Sequence, residues 1–312
     1  MIISIKDNWK KAEHAHAKFL VRIISRFLKR QPYMGLGEAE ARSFIEEIYP
    51  SLILCQQSDI MDTITLYKLY LSAFGENVAA KEGFVNRIRK TFNYNTFVQK
   101  TGDWNAYTLC KESTARTCPY CNQAYAFTLI VKGRGIRPTL DHFYSKDDYP
   151  HLALALNNLI PSCYACNSGL KLKRDFLTTP HLNPLWDDEN ITFSLSHKNG
   201  VASIFDDIVS DPKGTIVEIS LDTPCIRSEA SCDTFLITER YNELASEAAD
   251  FVESKLEYHM AQMSGIPHFT DIDEAKIVRF NPLKYRKYIL GKLFLDIHNA
   301  INRDVRAINR NI

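Results

Sequence analysis

The chain has no apolar run of about 18 residues, so a membrane-spanning helix is not expected. Its opening, MIISIKDNWKKAEHAHAKFL, turns charged at once and lacks the apolar core of a secretory signal. An excess of one charge is also missing: 38 Lys and Arg meet 37 Asp and Glu, a net charge of +1. A protein that grips nucleic acid by bulk charge would be far more basic, so any such contact has to come from local patches. The one glycine-bracketed stretch with a lysine, GENVAAKEG, lacks the Gly-Lys-Ser/Thr that grips a phosphate, so no nucleotide-hydrolysing motif is present. There is no internal repeat and no low-complexity segment. Eight cysteines in 312 residues do not make a secreted disulfide scaffold, and four of them form two Cys-x-x-Cys pairs. In a cytosolic protein, the expected location, such pairs read first as metal binding. With 45% hydrophobic and 24% charged residues, the composition is that of a soluble globular protein with a core of useful size.

Periodicity predicts an α+β chain, mainly helical, in three regions: 1–112 helical, 113–185 a cysteine module, and 186–312 a small strand region followed by helices. In the first region Trp9, Ala12, Phe19, Leu20, Ile23, Ile24, Phe27 and Leu28 recur at steps of three and four. QPYMGLG breaks that helix, and EAEARSFIEEIY predicts a second one stopped near Pro50. SDIMDTITLYKLYLSAFG predicts a third with Gly75 as its C-cap, and ENVAAKEGFVNRIRKTF a fourth. In the module, AYAFTLIV and IRPTLDHFY read as a strand and its returning partner around the turn KGRG. A looped stretch, SKDDYPHLALALNNLIPS, and a helix from about Tyr164 to Arg174 follow. Further on, ITFSLS and VASIFDD read as strands joined by the hairpin signal HKNG, with TIVEISL a third strand. The remaining tail carries helical spacing.

Cys118, Cys121, Cys163 and Cys166 form C-x2-C-x41-C-x2-C. Two intervening residues let both thiolates of a pair reach one ion, and four thiolates close a tetrahedral shell around a structural zinc with no position left for water. The plainer alternatives are a redox dithiol or unpaired core cysteines. Cys55, Cys110, Cys225 and Cys232 lack ligand spacing and are expected to be buried thiols. Zinc leaves Asp141, His142 and Asn167 unexplained. Asp141 and Asn167 offer oxygen ligands, which suit Mg²⁺ or Mn²⁺. Adjacent strand residues point to opposite faces, so Asp141 and His142 share a site only where the strand ends or twists. Two basic clusters could hold phosphates: Lys132, Arg134 and Arg137 on the hairpin turn, and Lys171, Lys173 and Arg174 on or just past the helix. A charge run is more often a solvated face. His14, His16, His181, His259, His268 and His298 read as surface or satisfied histidines, and His151, inside the module, as a possible substrate or metal contact.

The pattern C-x2-C…D-H…N…C-x2-C-N resembles the HNH (ββα-metal) endonuclease family. It looks most like members whose core is framed by a four-cysteine zinc, as in Holliday-junction resolvases of the phage endonuclease VII type. The resemblance is strong over about 60 residues. It implies a ββα-metal (treble-clef) module with His142 as general base and Asp141 as a ligand of a catalytic Mg²⁺ or Mn²⁺. It also implies that Asn158, with Asn157 as runner-up, orders the loop and orients the histidine. Asn167 takes a last position that is often His. Weaker echoes, HLNPLWDD and ITERYNEL, resemble HNH subunits of Septu-type and retron-linked anti-phage systems, where an ATPase is the partner. The function so implied is metal-dependent cleavage of phosphodiester bonds, DNA foremost, in bacterial antiviral defence. The rivals are a non-catalytic zinc module that binds nucleic acid or protein, and an RNA or tRNA nuclease on the same core. The helical arms would serve a partner ATPase, DNA positioning or a homo-oligomer.

Overall fold

The structure, a computed structural model, describes residues 2–30, 35–54, 56–99, 101–198, 204–264 and 273–310. It is an α+β chain, mainly helical, with three small antiparallel two-stranded sheets among the described residues. The chain forms two compact units. One comprises Ile5–Ala115 and Ala126–Asp187; the other comprises Met1–Ser4, Arg116–Tyr125 and Asp188–Ile312. Among the described residues no helix is long and apolar enough to cross a membrane.

The first unit begins with α1 (Glu13–Leu28), whose stripe His16, Leu20, Ile24 and Phe27 is buried. Helix α2 (Glu38–Leu54) packs on α1 and runs through Pro50 instead of stopping there. Pro50 forfeits one bond to the carbonyl four residues back, but Phe44, Ile45, Ile48 and Leu52 are all buried, and that face carries the helix past the proline. Helix α3 (Gln57–Ala73) ends as expected at Gly75, whose φ of +50 suits a left-handed residue after the cap. Helix α4 (Val78–Thr91) starts where the Asn77 side chain accepts from the Ala80 N–H. Phe44, Tyr67 and Phe84 interlock at 5.6–5.8 Å between ring centroids in the core of α2, α3 and α4. The short helices α5 (Tyr94–Val98) and α6 (Ala106–Lys111) are capped by Asn93 and Asn105.

The strand pairing corrects the sequence expectation. Of AYAFTLIV only β1 (Leu129–Val131) is a strand, and it pairs with β2 (Arg134–Ile136) around Lys132 and Gly133, both at positive φ as a tight hairpin requires. Pro138 then interrupts the ladder because it has no N–H to give. The segment carrying the Asp-His pair is a separate strand, β3 (Thr139–His142), antiparallel to β4 (Leu159–Ser162). Strand β4 lies in the stretch expected to be loop. Its residues Leu-Ile-Pro-Ser are buried on both faces, so they show no alternation to read. A seven-residue π-helix, Ala165–Lys171, follows in place of a longer helix to Arg174.

In the second unit β5 (Ile191–His197) pairs with β6 (Thr215–Leu221), from Ile191 opposite Leu221 to His197 opposite Thr215. Residues 199–203 of the expected HKNG hairpin and VASIFDD strand lie outside the described residues, and α7 (Ile204–Ser210) occupies the rest of that strand. Ile208 faces inward from the helix. Helices α8 (Ile226–Thr234), α9 (Ile237–Asn242), α10 (Ala245–Met263), α11 (Glu274–Ile277) and α12 (Gly291–Arg310) complete the unit. Helices α9 and α10 pack on β6 and α12 on β5; Phe193 stacks on Tyr241 at 4.2 Å and Phe251 on Phe294 at 4.6 Å.

Candidate metal cluster and catalytic pocket

The four sulfurs of Cys118, Cys121, Cys163 and Cys166 lie within 4.8 Å of one another, three of the residues buried and Cys163 half-buried. Four thiolates around one zinc stand about 3.8 Å apart, the edge of a tetrahedron with Zn–S bonds of about 2.3 Å. The cluster can therefore hold a metal ion such as zinc. Local backbone shapes each pair. The Cys118 N–H donates to the Ala124 carbonyl, Gln123 N–H points at Cys121 Sγ at 3.4 Å, and Cys166 N–H at Cys163 Sγ at 3.4 Å. Asn122 was not singled out in the sequence, yet it stands at φ +53 and is fully buried. Its amide donates to Thr117 Oγ1 and the Tyr288 carbonyl, while its oxygen accepts from the Lys292 N–H. The signal for it was an Asn directly after Cys-x-x-Cys, a position where Asn tolerates the left-handed conformation.

Asp141 and His142 end β3, so the alternation of faces stops where it would have separated them. Both line one open pocket of roughly 620 Å³, together with Tyr94 and Asn167. His142 Nε2 lies 3.0 Å from the Ala153 carbonyl. A carbonyl only accepts, so Nε2 carries the proton and Nδ1 keeps the lone pair. Burial drives the pKa of His142 down to about 4, against the opposing effects of the Ala153 hydrogen bond and the Asp141 charge. The ring is thus neutral at pH 7. Tyr94, absent from the sequence expectations because a lone Tyr on a helix carries no motif, packs edge-on to His142 at 4.4 Å and donates to the Leu140 carbonyl.

Asn158 is fully buried and closes the loop between β3 and β4. Its oxygen accepts from Tyr144 N–H, and its amide donates to the Tyr144 and Leu152 carbonyls. The bond to Leu152 holds the turn next to the Ala153 carbonyl that orients His142. Asn157 is half-buried.

Lys171 departs from its expected place at a phosphate. It is buried, its ammonium 2.7 Å from Asp141 Oδ1, donating also to the His142 carbonyl and standing 4.7 Å over the Phe176 ring. The π-helix accounts for this. Leu172 N–H reaches back five residues to the Asn167 carbonyl, and the wider turn carries Lys171 inward toward β3. Among the other cations, Arg137, Lys173 and Arg174 line the pocket, joined by Lys146. Lys132 and Arg134 are exposed on the β1–β2 hairpin and do not line it.

His151 is not a pocket residue. It is fully buried against Phe44 and Tyr67, with neither ring nitrogen hydrogen-bonded, and burial pulls its pKa to about 3. His16 is buried and satisfied by the Leu154 carbonyl and the Trp104 indole. His181 stacks on Phe176 at 3.7 Å; His14 is exposed, His259 and His298 are half-buried, and His268 lies outside the described residues. Cys110 is a buried thiol as expected, but Cys225 and Cys232 are only half-buried, and Cys55 lies outside the described residues. No family model, curated protein or solved structure matches the chain.

Proposed function

We propose that β3, β4 and the π-helix form an HNH-type nuclease core that hydrolyses phosphodiester bonds, with DNA as substrate and a structural zinc on the four cysteines. The observation that supports this best is His142. It ends a strand beside an acidic residue, its tautomer is set by a backbone carbonyl, and it is neutral with Nδ1 free to take a proton. In the reaction water attacks phosphorus and its proton passes to Nδ1 as the bond from phosphorus to the 3′-oxygen breaks; the 3′-oxygen takes a proton from solvent and leaves as a hydroxyl, and His142 returns its proton to water. Arg137, Lys173 and Arg174 line the pocket as cations for the phosphate, while Asp147 and Asp148 also line it and Lys146 is paired with Asp147 at 3.2 Å.

The Mg²⁺ or Mn²⁺ that the resemblance implies does not fit the side chains as arranged. Its carboxylate, Asp141, is already paired with the Lys171 ammonium, and a dication on the same oxygen would meet that charge at close range. The same pair favours a second reading, a zinc-held binding module in which Asp141 is structural. The roles in antiviral defence, in the cytoplasm and beside an ATPase extend the proposal from the resemblance alone.

Cleavage assays on duplex DNA, single-stranded DNA and tRNA, with Mg²⁺, Mn²⁺, Zn²⁺ or EDTA, separate the readings. His142→Ala is expected to lower the rate by about 10²–10⁴-fold while the protein stays folded. Cutting by that variant at the wild-type rate would sink the HNH reading of His142, and no cutting by wild type on any substrate would leave the binding module.

A further inference from the structure

A second concavity, of roughly 460 Å³, lies on the helical part of the first unit. Five cations line it: Arg22 and Arg26 from α1, Arg30 just beyond, and Arg87 and Lys90 from α4. No carboxylate is among its lining residues. Arg87 is paired with Glu38, but Arg22, Arg26, Arg30 and Lys90 are exposed and make no ion pair among the described residues. Residues 22, 26 and 30 follow one another at steps of four, so like charges are stacked along one side of α1 and repel. In a chain of net charge +1, this is a local concentration of positive charge that an anion would relieve.

The floor is aromatic. Phe27 and Phe97 are buried, while Phe19 and Trp104 are half-buried. The indole N–H of Trp104 donates to His16 Nδ1 at 3.1 Å, which fixes its ring plane. Phe19 and Trp104 are the rings with surface left for a ligand, and cations beside them suit a single strand, whose phosphates meet the cations while its bases stack. A duplex keeps its bases stacked on one another and offers nothing to the rings. The groove and the His142 pocket also share a wall. Tyr94 and Val98 of α5 line the pocket, and Asn93, Thr96 and Phe97 of the same short segment line the groove.

We infer that this groove binds a single-stranded polynucleotide and guides it to the His142 pocket. The guiding role rests on the phosphodiesterase reading; the binding does not. The test is fluorescence anisotropy with labelled dT20, U20 and a 20-base-pair duplex in buffer free of Mg²⁺ and Mn²⁺ and without chelator, so that the cysteine-bound zinc is kept, with the probes checked for intact length afterwards. Arg22→Ala/Arg26→Ala/Lys90→Ala is expected to weaken dT20 binding by at least about tenfold. It should also flatten the slope of log K against log salt by about 2, since each phosphate no longer neutralised removes about 0.7. Comparing dT20 with U20 shows whether the sugar matters. Lys198→Ala/Lys213→Ala/Lys284→Ala removes as many exposed cations elsewhere and is expected to leave binding within about twofold. Arg26→Glu, a single exposed change, repeats the measurement should the triple variant fold poorly.

Groove variants that bind like wild type, an equal weakening in both triple variants, tighter binding of duplex than of dT20, or no wild-type binding would each overturn the inference. Cleavage is measured separately on wild type and His142→Ala. Loss of binding in the groove variants without any cleavage by wild type would remove the nuclease reading alone. Normal cleavage with unchanged binding would remove the groove alone.

Discussion

Lys171→Met removes an ammonium and keeps most of the side-chain volume. Lys171 and Asp141 are 4% and 3% exposed, and their charged atoms stand 2.7 Å apart. At an effective dielectric of about 20 the attraction is about 6 kcal/mol, most of it offset by the desolvation of both groups. Breaking such a pair from one side strips a buried carboxylate of its ammonium counter-charge and costs about 3–5 kcal/mol. The variant is therefore expected to unfold in urea at a clearly lower midpoint at pH 7.5. Asp141→Asn/Lys171→Met removes both charges and should recover most of the stability. Removing Lys171 also takes a positive charge away from Asp141 in the pocket that Asn167 lines. Mn²⁺ at about a hundred times its dissociation constant should then add about 2.7 kcal/mol to Lys171→Met and little to wild type. A Lys171→Met protein within about 1 kcal/mol of wild type would refute the claim that this pair holds the site. Equal stabilisation of both proteins by Mn²⁺ would show that Lys171 does not stand in the way of a dication.

Metal analysis of fresh protein is expected to find one zinc per chain, and Cys163→Ala to lose it together with a large part of the melting temperature, because metal binding at such a site is coupled to folding. Zinc-free protein with normal melting would end that reading. Acid should destabilise the protein well before its carboxylates titrate. His16 and His142 have pKa values lowered to about 4 and His151 to about 3, chiefly by burial. The unfolded chain takes up protons near the ordinary value of about 6.5, so the stability is present above that pH and is lost as pH falls toward 4. From pH 7.5 to 5.5 the three together should cost on the order of 4 kcal/mol, read as a falling urea midpoint. A flat profile would contradict the burial of these rings. Initial rates of His142→Ala on the best of the three nucleic acid substrates, against an unchanged circular dichroism spectrum, complete the set.

The local code was legible wherever chemistry and spacing coincide. Two Cys-x-x-Cys pairs announced a cluster whose sulfurs do gather within 4.8 Å. The apolar stripe of α1 and the glycine that ends α3 were readable because helix periodicity and caps depend on neighbours three or four residues away. Asn158 was named by resemblance alone; it makes three hydrogen bonds across the loop. What depends on distant parts of the chain was not readable. Strand β4 carries no alternation because both of its faces are covered, so the partner of the Asp-His strand was missed. Helix α2 passes a proline that local rules treat as a stop, because buried side chains outweigh one missing hydrogen bond. Lys171 read from the sequence as one of a basic cluster with Lys173 and Arg174 that could hold phosphates. Only the wide turn of a π-helix and the carboxylate thirty residues earlier make it a buried counter-ion. The groove on α1 and α4 required two helices to face each other, and no stretch of either one alone spells it out. Composition, periodicity and ligand spacing are written in neighbouring residues; burial, strand partners and charge pairing are set by what the folded chain brings across a gap, and so belong to tertiary structure.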